Sequence, residues 1–171
     1  MNWKKAVYIT TFLFVIITAR TANAVPLEYK VKAGLIYNIL KFVELPENKE
    51  TSNINICVIG NNPFGDLLDK LNNKSIKGRK IVIIEKYDRT TKCSVAYISS
   101  SEEKKVGGII NELKASSVLT ISDIDNFAKV GGMVEFDDAS GNVVMYFNNS
   151  EAKRQGIAIS SKLLQIARRV Y

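Results

Sequence analysis

The sequence predicts a single-domain α/β protein, with a mostly parallel twisted sheet flanked by helices and followed by a C-terminal β-hairpin and a closing helix. Two observations support this fold class. Four short, nearly continuous apolar segments alternate with helical patterns, and strands of that character are typical of a parallel sheet covered on both faces. The segments MVEFD and NVVMYFN then flank DASG, which is the pattern of a β-hairpin.

The first element is a helix over residues 28–43, EYKVKAGLIYNILKFV. Val31, Leu35, Ile39 and Phe42 follow one another at helical spacing, and Pro46 then stops the helix. A short helix is predicted after the Asn-Pro step at 62–63, because proline is favoured at the first position of a helix. The strands are predicted at 53–59, 80–87, 94–99, 117–122, 133–137 and 142–148.

The remaining helices are predicted from caps and apolar periodicity. Ser100 and Glu103 form a capping box, which opens a helix with an inward apolar face. A short helix at 123–130 ends at the glycine pair 131–132. The C-terminal stretch 159–171 is an amphipathic helix, with its apolar residues on one side. That side consists of Leu163, Ile166, Ala167 and Val170.

Residues 1–24 have the features of a secretory signal peptide. Two lysines precede an apolar run of 14 residues at 6–19, and Ala22-Asn23-Ala24 is a cleavage-site pattern. The alternative is a membrane anchor, but the run is shorter than the roughly 20 residues that span a bilayer. We expect cleavage after Ala24 and an exported mature domain of residues 25–171. The signal carries three basic residues and no acid, so the net charge falls from +7 to +4 (7 − 3). Nucleic-acid binding is not indicated by that charge.

The two cysteines, Cys57 and Cys93, lie in apolar, strand-like stretches of the mature chain. An even cysteine count in an oxidising compartment indicates a disulfide. The alternative is a pair of buried free thiols, because free cysteine is often a core residue.

The segment ICVIGNNPFGDLLDKL resembles a nucleotide-binding turn at first sight. Gly60 and Gly65 have the glycine spacing of a phosphate-binding loop, but aspartate and leucine follow where lysine and a hydroxyl residue are required. A structural turn is therefore the stronger interpretation. The alternative is a ligand site over Gly60, Asn61, Asn62 and Gly65, at the helix N-terminus.

The residue inventory excludes several kinds of catalytic site. The chain has no histidine, which removes histidine-based triads and histidine metal sites. Asp123 and Asp125 begin like a calcium loop, but the later ligand positions are wrong, and Asp123 is interpreted as a helix N-cap. Glu135 and Asp137 fall on one face of a strand and are interpreted as its solvent-facing side. We therefore expect no enzyme activity, no metal and no cofactor.

Several segments together resemble the YfiR family of small exported regulators. They are the first helix, the turn IGNNPFG, the segment TISD with FAKVGG, and the final ISSKLL, in the order of the family. The resemblance implies a periplasmic repressor of an inner-membrane diguanylate cyclase, which binds the periplasmic sensing domain of that enzyme and so lowers cyclic di-GMP and biofilm formation. It also implies a homodimer, an outer-membrane lipoprotein that sequesters the repressor, and a family disulfide matching Cys57 and Cys93.

The contact with the cyclase is expected on the C-terminal part of the chain, because a polar, basic surface lies there beside a packed helix. The residues are Arg154, Ser161, Lys162 and Arg168. The alternative is a merely solvated helix face. A second function also stays open, namely a periplasmic small-molecule sensor module coupled to another signalling protein, with its ligand at the carboxyl ends of the strands.

Overall fold

The structure, a computed structural model, describes residues 25–46, 52–139 and 141–171. The predicted signal peptide lies outside the described residues. The four described α-helices are α1 (Leu27–Lys41), α2 (Val106–Lys114), α3 (Asn149–Arg154) and α4 (Ser161–Gln165), and two 3₁₀ segments cover Leu68–Leu71 and Ser100–Lys105. The ten described strands are β1 (Val43–Glu44), β2 (Ile54–Ile59), β3 (Ser75–Ile76), β4 (Arg79–Ile84), β5 (Val95–Ile98), β6 (Leu119–Ser122), β7 (Val134–Ala139), β8 (Asn142–Phe147), β9 (Ala158–Ile159) and β10 (Arg169–Val170).

Eight of these strands form the central sheet in the order β10-β8-β7-β6-β5-β2-β4-β3. Strands β4, β2, β5, β6 and β7 are parallel to one another, whereas β7 and β8 form the antiparallel hairpin that the DASG pattern predicts. The small strands β1 and β9 pair separately and antiparallel. The predicted fold class, an α/β domain with a mostly parallel sheet and a hairpin, is therefore confirmed.

The chain direction places the switch point of the sheet between β2 and β5. Strand β2 comes first in the parallel set, β4 adds on one side of it, and β5 then adds on the other. In open α/β sheets, the crevice outside the carboxyl ends of two such strands is the usual ligand position. The turn that begins at Gly60 follows β2 at this edge.

The core is divided by the sheet into two apolar clusters, because successive strand residues point to opposite faces. One face packs against α1 and contains Ile56, Phe64 and Tyr97. The other packs against α2 and contains Cys57 and Phe127.

The inward side of α1 is rotated relative to the predicted stripe. Ile39 is buried, but Val31 is 44% and Phe42 is 42% exposed, while Ala33 and Ile36 face the sheet. Apolar residues occur on several sides of this helix, so helical spacing alone is compatible with more than one orientation.

Three predicted helix details are wrong. Ser99, not Ser100, accepts the capping hydrogen bond, from the N–H of Ser101 at 3.4 Å. Residues 125–131 form turns instead of a helix, because Asn126 has a φ of +60°, outside the helical region, and the Glu135 carboxylate accepts the N–H groups of Asn126 and Ala128. The segment after residue 62 forms turns and the 3₁₀ segment Leu68–Leu71 in place of an α-helix.

The closing helix is present but much shorter than predicted. Only Ser161–Gln165 is helical, and the chain then pairs as β10 in parallel with the end of β8. The N–H of Tyr171 donates to the carbonyl of Phe147 at 2.8 Å. Pairing with β8 satisfies backbone hydrogen bonds of this last segment. It leaves Ile166 66% exposed, where the helical pattern predicts an inward side chain.

Candidate functional site

The four residues with a predicted partner-binding role lie on three C-terminal segments. Arg154 ends α3, Ser161 and Lys162 begin α4, and Arg168 precedes β10. All four are exposed. No hydrogen bond or ion pair joins them to one another in the described part of the chain, so they form a surface region and not a bonded cluster.

Arg154 is part of an ion-pair network within the protein. Its guanidinium donates to the carboxylate of Glu151, one turn earlier in α3. The same buried carboxylate accepts a hydrogen bond from Gln155 at 2.8 Å, and the ammonium of Lys114 lies 3.9 Å away. Burial alone would raise the pKa of Glu151, but the hydrogen bonds from Arg154 and Gln155 outweigh it and hold that pKa below its usual value.

The backbone around the other three residues is fixed by hydrogen bonds. The N–H of Ser160 donates to the carbonyl of Phe42 at 2.9 Å, and its hydroxyl caps α4 by accepting from the N–H of Leu163. The N–H of Arg168 donates to the carbonyl of Met145 at 2.8 Å. The C-terminal segments therefore hold exposed side chains on a backbone anchored to α1 and to the sheet.

A disulfide joins Cys57 to Cys93, with 8% or less of either residue exposed. It connects β2 with the segment before β5, and these two strands are direct neighbours in the sheet. The predicted pairing is present in the structure, and both cysteines belong to the face of the sheet that packs on α2.

The turn after β2 is filled by the protein itself. Gly60 has a φ of +91°, and a Cβ at this position would lie 2.5 Å from the hydroxyl of Ser101. That hydroxyl accepts a hydrogen bond from the N–H of Asn61 at 2.9 Å. The crevice that would hold a ligand at the switch point is thus occupied here by the 3₁₀ segment after β5.

The side chain of Asn62 completes this turn. Its oxygen accepts the N–H of Phe64 at 2.8 Å, and its amide donates to the carbonyl of Gly65 at 3.0 Å and to Glu85 at 2.6 Å. These hydrogen bonds occupy the N–H of Phe64 and the side-chain amide of Asn62, which are the donors that a phosphate would need. The Glu85 carboxylate adds a negative charge beside them. The geometry accounts for the Asn-Pro-Phe-Gly sequence by local structure.

A buried polar cluster lies at the same edge of the sheet, beneath α1. The Asp123 carboxylate, directly after β6, accepts from the ammonium of Lys32 at 2.8 Å and from the hydroxyl of Tyr29 at 2.9 Å. Only 4% of the Lys32 side chain and 7% of the Asp123 side chain are exposed. Asp123 therefore anchors α1 to the sheet, and the N-cap role predicted for it is wrong. The hydroxyl of Ser122 instead accepts the N–H of Ile124 at 3.1 Å.

Aromatic rings close this cluster on its inner side. The ring of Phe64 packs edge-on against Tyr29 and Tyr97, with centroids 5.5 and 4.6 Å apart. Burial, followed by the nearby Asp123 charge, raises the pKa of both tyrosines, so both hydroxyls stay protonated. The sequence signal for this cluster was a lysine on the inward side of an apolar helix, one turn before Ile36.

The strand carboxylates Glu135 and Asp137 lie in different environments. Glu135 is 7% exposed and accepts two backbone N–H groups of the preceding turns, so its predicted solvent-facing position is wrong. Asp137 is half-buried and accepts from the hydroxyl of Tyr146 at 3.3 Å. No group of three or more cysteine, aspartate or glutamate side chains in the described ranges has the arrangement of a metal site.

A cavity of about 430 Å³ opens at the opposite edge of the sheet, beside the amino ends of β5 and β6. Tyr87, Arg89 and Glu112 line one part of it, where the guanidinium of Arg89 lies 3.4 Å from the Glu112 carboxylate. Its volume is in the range of small-molecule sites. It is not at the Gly60–Gly65 turn, where the sequence placed the alternative ligand site.

A family model described as YfiR/HmsC-like matches residues 29–168, which is most of the chain. The chain belongs to the YfiR/HmsC-like family. The resemblance drawn from the sequence motifs is confirmed by this match. Membership supports, at the level of the family, a periplasmic regulator of the diguanylate cyclase pathway.

Two solved structures share the fold of this YfiR/HmsC-like protein. A conserved domain protein from Vibrio cholerae superposes with a TM-score of 0.58 at 14% identity, and an ABC domain in complex with L-Trp from Streptococcus pneumonia with a TM-score of 0.56 at 12% identity. Each match covers 84% of this chain and 60% of the other chain. At such identities the likeness establishes the fold alone.

The described helices of this family member are too short or too polar to cross a membrane. The longest, α1, has 15 residues and includes Glu28 and three lysines.

Proposed function

We propose that this protein is exported to the periplasm, loses residues 1–24, and represses an inner-membrane diguanylate cyclase by binding the periplasmic sensing domain of that enzyme. Cyclic di-GMP and biofilm formation fall as a result. We further propose that it acts as a homodimer and is released when an outer-membrane lipoprotein sequesters it. The observation that carries the proposal is the family match across residues 29–168.

Two features of the molecule support a role in binding. The chain has no histidine, and the buried carboxylates of Asp123 and Glu135 are occupied by hydrogen bonds that hold α1 and the turns before β7 in place. The disulfide between Cys57 and Cys93 suits an oxidising compartment.

Repression follows from differential affinity for two states of the cyclase. A bound protein shifts a two-state equilibrium only by the difference between its affinities for those states. A preference of about 3 kcal/mol for the inactive state gives repression of roughly a hundredfold.

We place one contact with the cyclase on the exposed C-terminal side chains of Ser161, Lys162 and Arg168, with Arg154 beside them. Their exposure on an anchored backbone supports this placement. Charge reversal at Lys162 and Arg168 tests it, because neither side chain belongs to the Glu151 network.

The experiment for the function is a deletion strain assayed for cyclic di-GMP, complemented with wild-type protein. We expect deletion to raise cyclic di-GMP, and the purified protein to bind the periplasmic domain of one inner-membrane cyclase of the host. Unchanged cyclic di-GMP together with no binding to any such domain would refute the proposal.

A second candidate function is a small-molecule sensor module coupled to another signalling protein. The cavity of about 430 Å³ beside β5 and β6 favours it. Calorimetric titration with periplasmic amino acids and nucleotides tests this candidate, and a saturable heat that Arg89→Ala abolishes would support it.

A further inference from the structure

The outward face of α1 carries a stripe with the spacing of a helix–helix seam. Leu27, Val31, Gly34 and Asn38 follow one another at intervals of four, three and four residues, and Phe42, the residue directly after α1, continues the stripe. Leu27 is 73%, Val31 44% and Phe42 42% exposed. An interval that alternates between three and four residues keeps side chains on the line along which a second helix packs.

Gly34 has no packing role within the described part of the fold. It is the eighth of the 15 residues of α1, and a Cβ at this position would meet nothing within 4 Å. Glycine in the middle of a helix is destabilising relative to alanine. A small residue at the centre of a seam allows the backbone of a second helix to approach closely. Packing against a second helix therefore explains a glycine that the folded domain alone does not require.

One flank of this seam is basic. The ammonium groups of Lys41 and Lys74 lie 4.3 and 5.0 Å from the centre of the Tyr37 ring, and Lys30 is exposed on the same side of α1. None of these three lysines forms an ion pair with a carboxylate among the described residues. A partner with acidic residues beside its apolar stripe would supply the missing charges.

A second copy of this chain fits that flank poorly. In an antiparallel pair of α1 helices the same flanks meet, so the lysines of one copy would face the lysines of the other. A parallel pair would offer only Glu28 from α1, and this carboxylate is half-buried and lies 4.0 Å from Lys32. The charges therefore favour a different protein as the occupant.

The helix that carries the seam is firmly positioned. Its first turns are fixed by the buried pair of Lys32 and Asp123 and by the Tyr29 hydroxyl, on the side opposite the seam. Its carboxyl end is fixed by the hydrogen bond from Ser160 to Phe42. A rigid helix presents a docking face with little loss of conformational freedom on binding.

We propose that the seam of α1, consisting of Leu27, Val31, Gly34, Asn38 and Phe42, docks an amphipathic helix of a partner protein whose flank carries aspartate and glutamate. The partner helix crosses α1 close to Gly34, and its acidic flank lies along Lys30 and Lys41. The inference rests on the proposed function and places this helix in the periplasmic domain of the cyclase.

The decisive variant is Gly34→Ala, with Gly108→Ala as its matched control. Both positions are exposed and lie in helices, and a methyl group added at either one would meet nothing within 4 Å, so neither substitution creates a clash in the domain. We expect both variants to melt at or above the wild-type temperature. We also expect Gly34→Ala to raise the Kd for the purified cyclase periplasmic domain about tenfold or more, and Gly108→Ala to leave it within about twofold.

A second pair of variants tests the charge. Lys30→Glu with Lys41→Glu should raise the Kd about tenfold and flatten its salt dependence, whereas the exposed control Lys104→Glu should do neither. For Gly34→Ala, a higher melting temperature together with a higher Kd is a result that a purely structural role of Gly34 would not produce.

The outcomes separate the two proposals. If wild type and Gly34→Ala bind the cyclase domain equally, the seam is not the docking face, while the proposed function stands. If Gly34→Ala abolishes self-association in sedimentation without weakening cyclase binding, the occupant is a second copy, and the inference is overturned. If wild type binds no cyclase domain and deletion leaves cyclic di-GMP unchanged, both proposals fail.

Discussion

Removal of the disulfide is the sharpest test of what stabilises this domain. Cys57 and Cys93 are separated by 36 residues, and a crosslink of that span removes about 13 cal/mol/K of chain entropy from the unfolded state. At 25 °C this corresponds to about 4 kcal/mol, set against a typical domain stability of about 5–15 kcal/mol. We therefore expect the reduced protein to retain its fold but with a much smaller free energy of unfolding.

The perturbation is the double variant Cys57→Ala with Cys93→Ala, measured beside wild type with and without reductant. Urea unfolding should show the free energy of unfolding falling by about 4 kcal/mol, and the melting temperature should fall by about 8–16 °C at about 2–4 °C per kcal/mol. Reductant should destabilise wild type similarly and leave the double variant unchanged. The comparison with reduced wild type isolates the crosslink from the loss of the two buried sulfur atoms.

The entropic reasoning would be refuted by a loss of less than about 1 kcal/mol in both the variant and the reduced protein. Alkylation of the native protein without reductant gives an independent check, because no thiol should be labelled. Two labelled cysteines in the folded protein would show that the bridge is absent.

Three further predictions concern single sites. Lys32→Met should cost about 3–5 kcal/mol in urea unfolding, because the buried Asp123 carboxylate loses its counter-charge, and adding Asp123→Asn should restore most of the loss. Folding lowers the pKa of Glu151. The stabilisation that its charge contributes is therefore fully present above the ordinary pKa of 4.5, and it is lost as pH falls through the lower pKa of the folded state. Glu151→Gln should thus be less stable than wild type at pH 7 and lose less stability on acidification, as followed by circular dichroism. Gly60→Ala should lower the free energy of unfolding by about 1–3 kcal/mol, and by more than Gly78→Ala does. Both glycines have a positive φ, but of the two only Gly60 would place a Cβ within 3 Å of other atoms. Equal losses of stability in the two variants would mean that this close contact is unimportant.

The strands of the parallel sheet were predictable because their burial leaves a direct signature. Segments such as ICVI and VAYI are apolar at every position, as strands covered on both faces must be. The hairpin was predictable from its turn residues. In each case the signal is local, so neither the order of the strands nor their register was needed to recognise it.

The C-terminus was mispredicted because a long-range pairing decided its structure. The spacing of Leu163, Ile166 and Val170 fits a helix, yet residues 169–170 complete the edge of the sheet beside β8. No pattern within 159–171 indicates that the edge of a strand more than 20 residues earlier is free to pair with this segment. The roles of Asp123 and Glu135 were missed for the same reason, since the groups that each carboxylate binds lie in other elements.

The environments of the C-terminal residues decide what a repression assay can mean. Arg154 compensates the buried charge of Glu151, so reversing its charge places two carboxylates together and destabilises α3 irrespective of any partner. Lys162 and Arg168 have no such pair in the described structure, and their reversal reports on the surface. Lost repression with Arg154→Glu alone would therefore indicate a folding defect. Lost repression with Lys162→Glu and Arg168→Glu, at unchanged melting temperature, would place the cyclase contact on this surface.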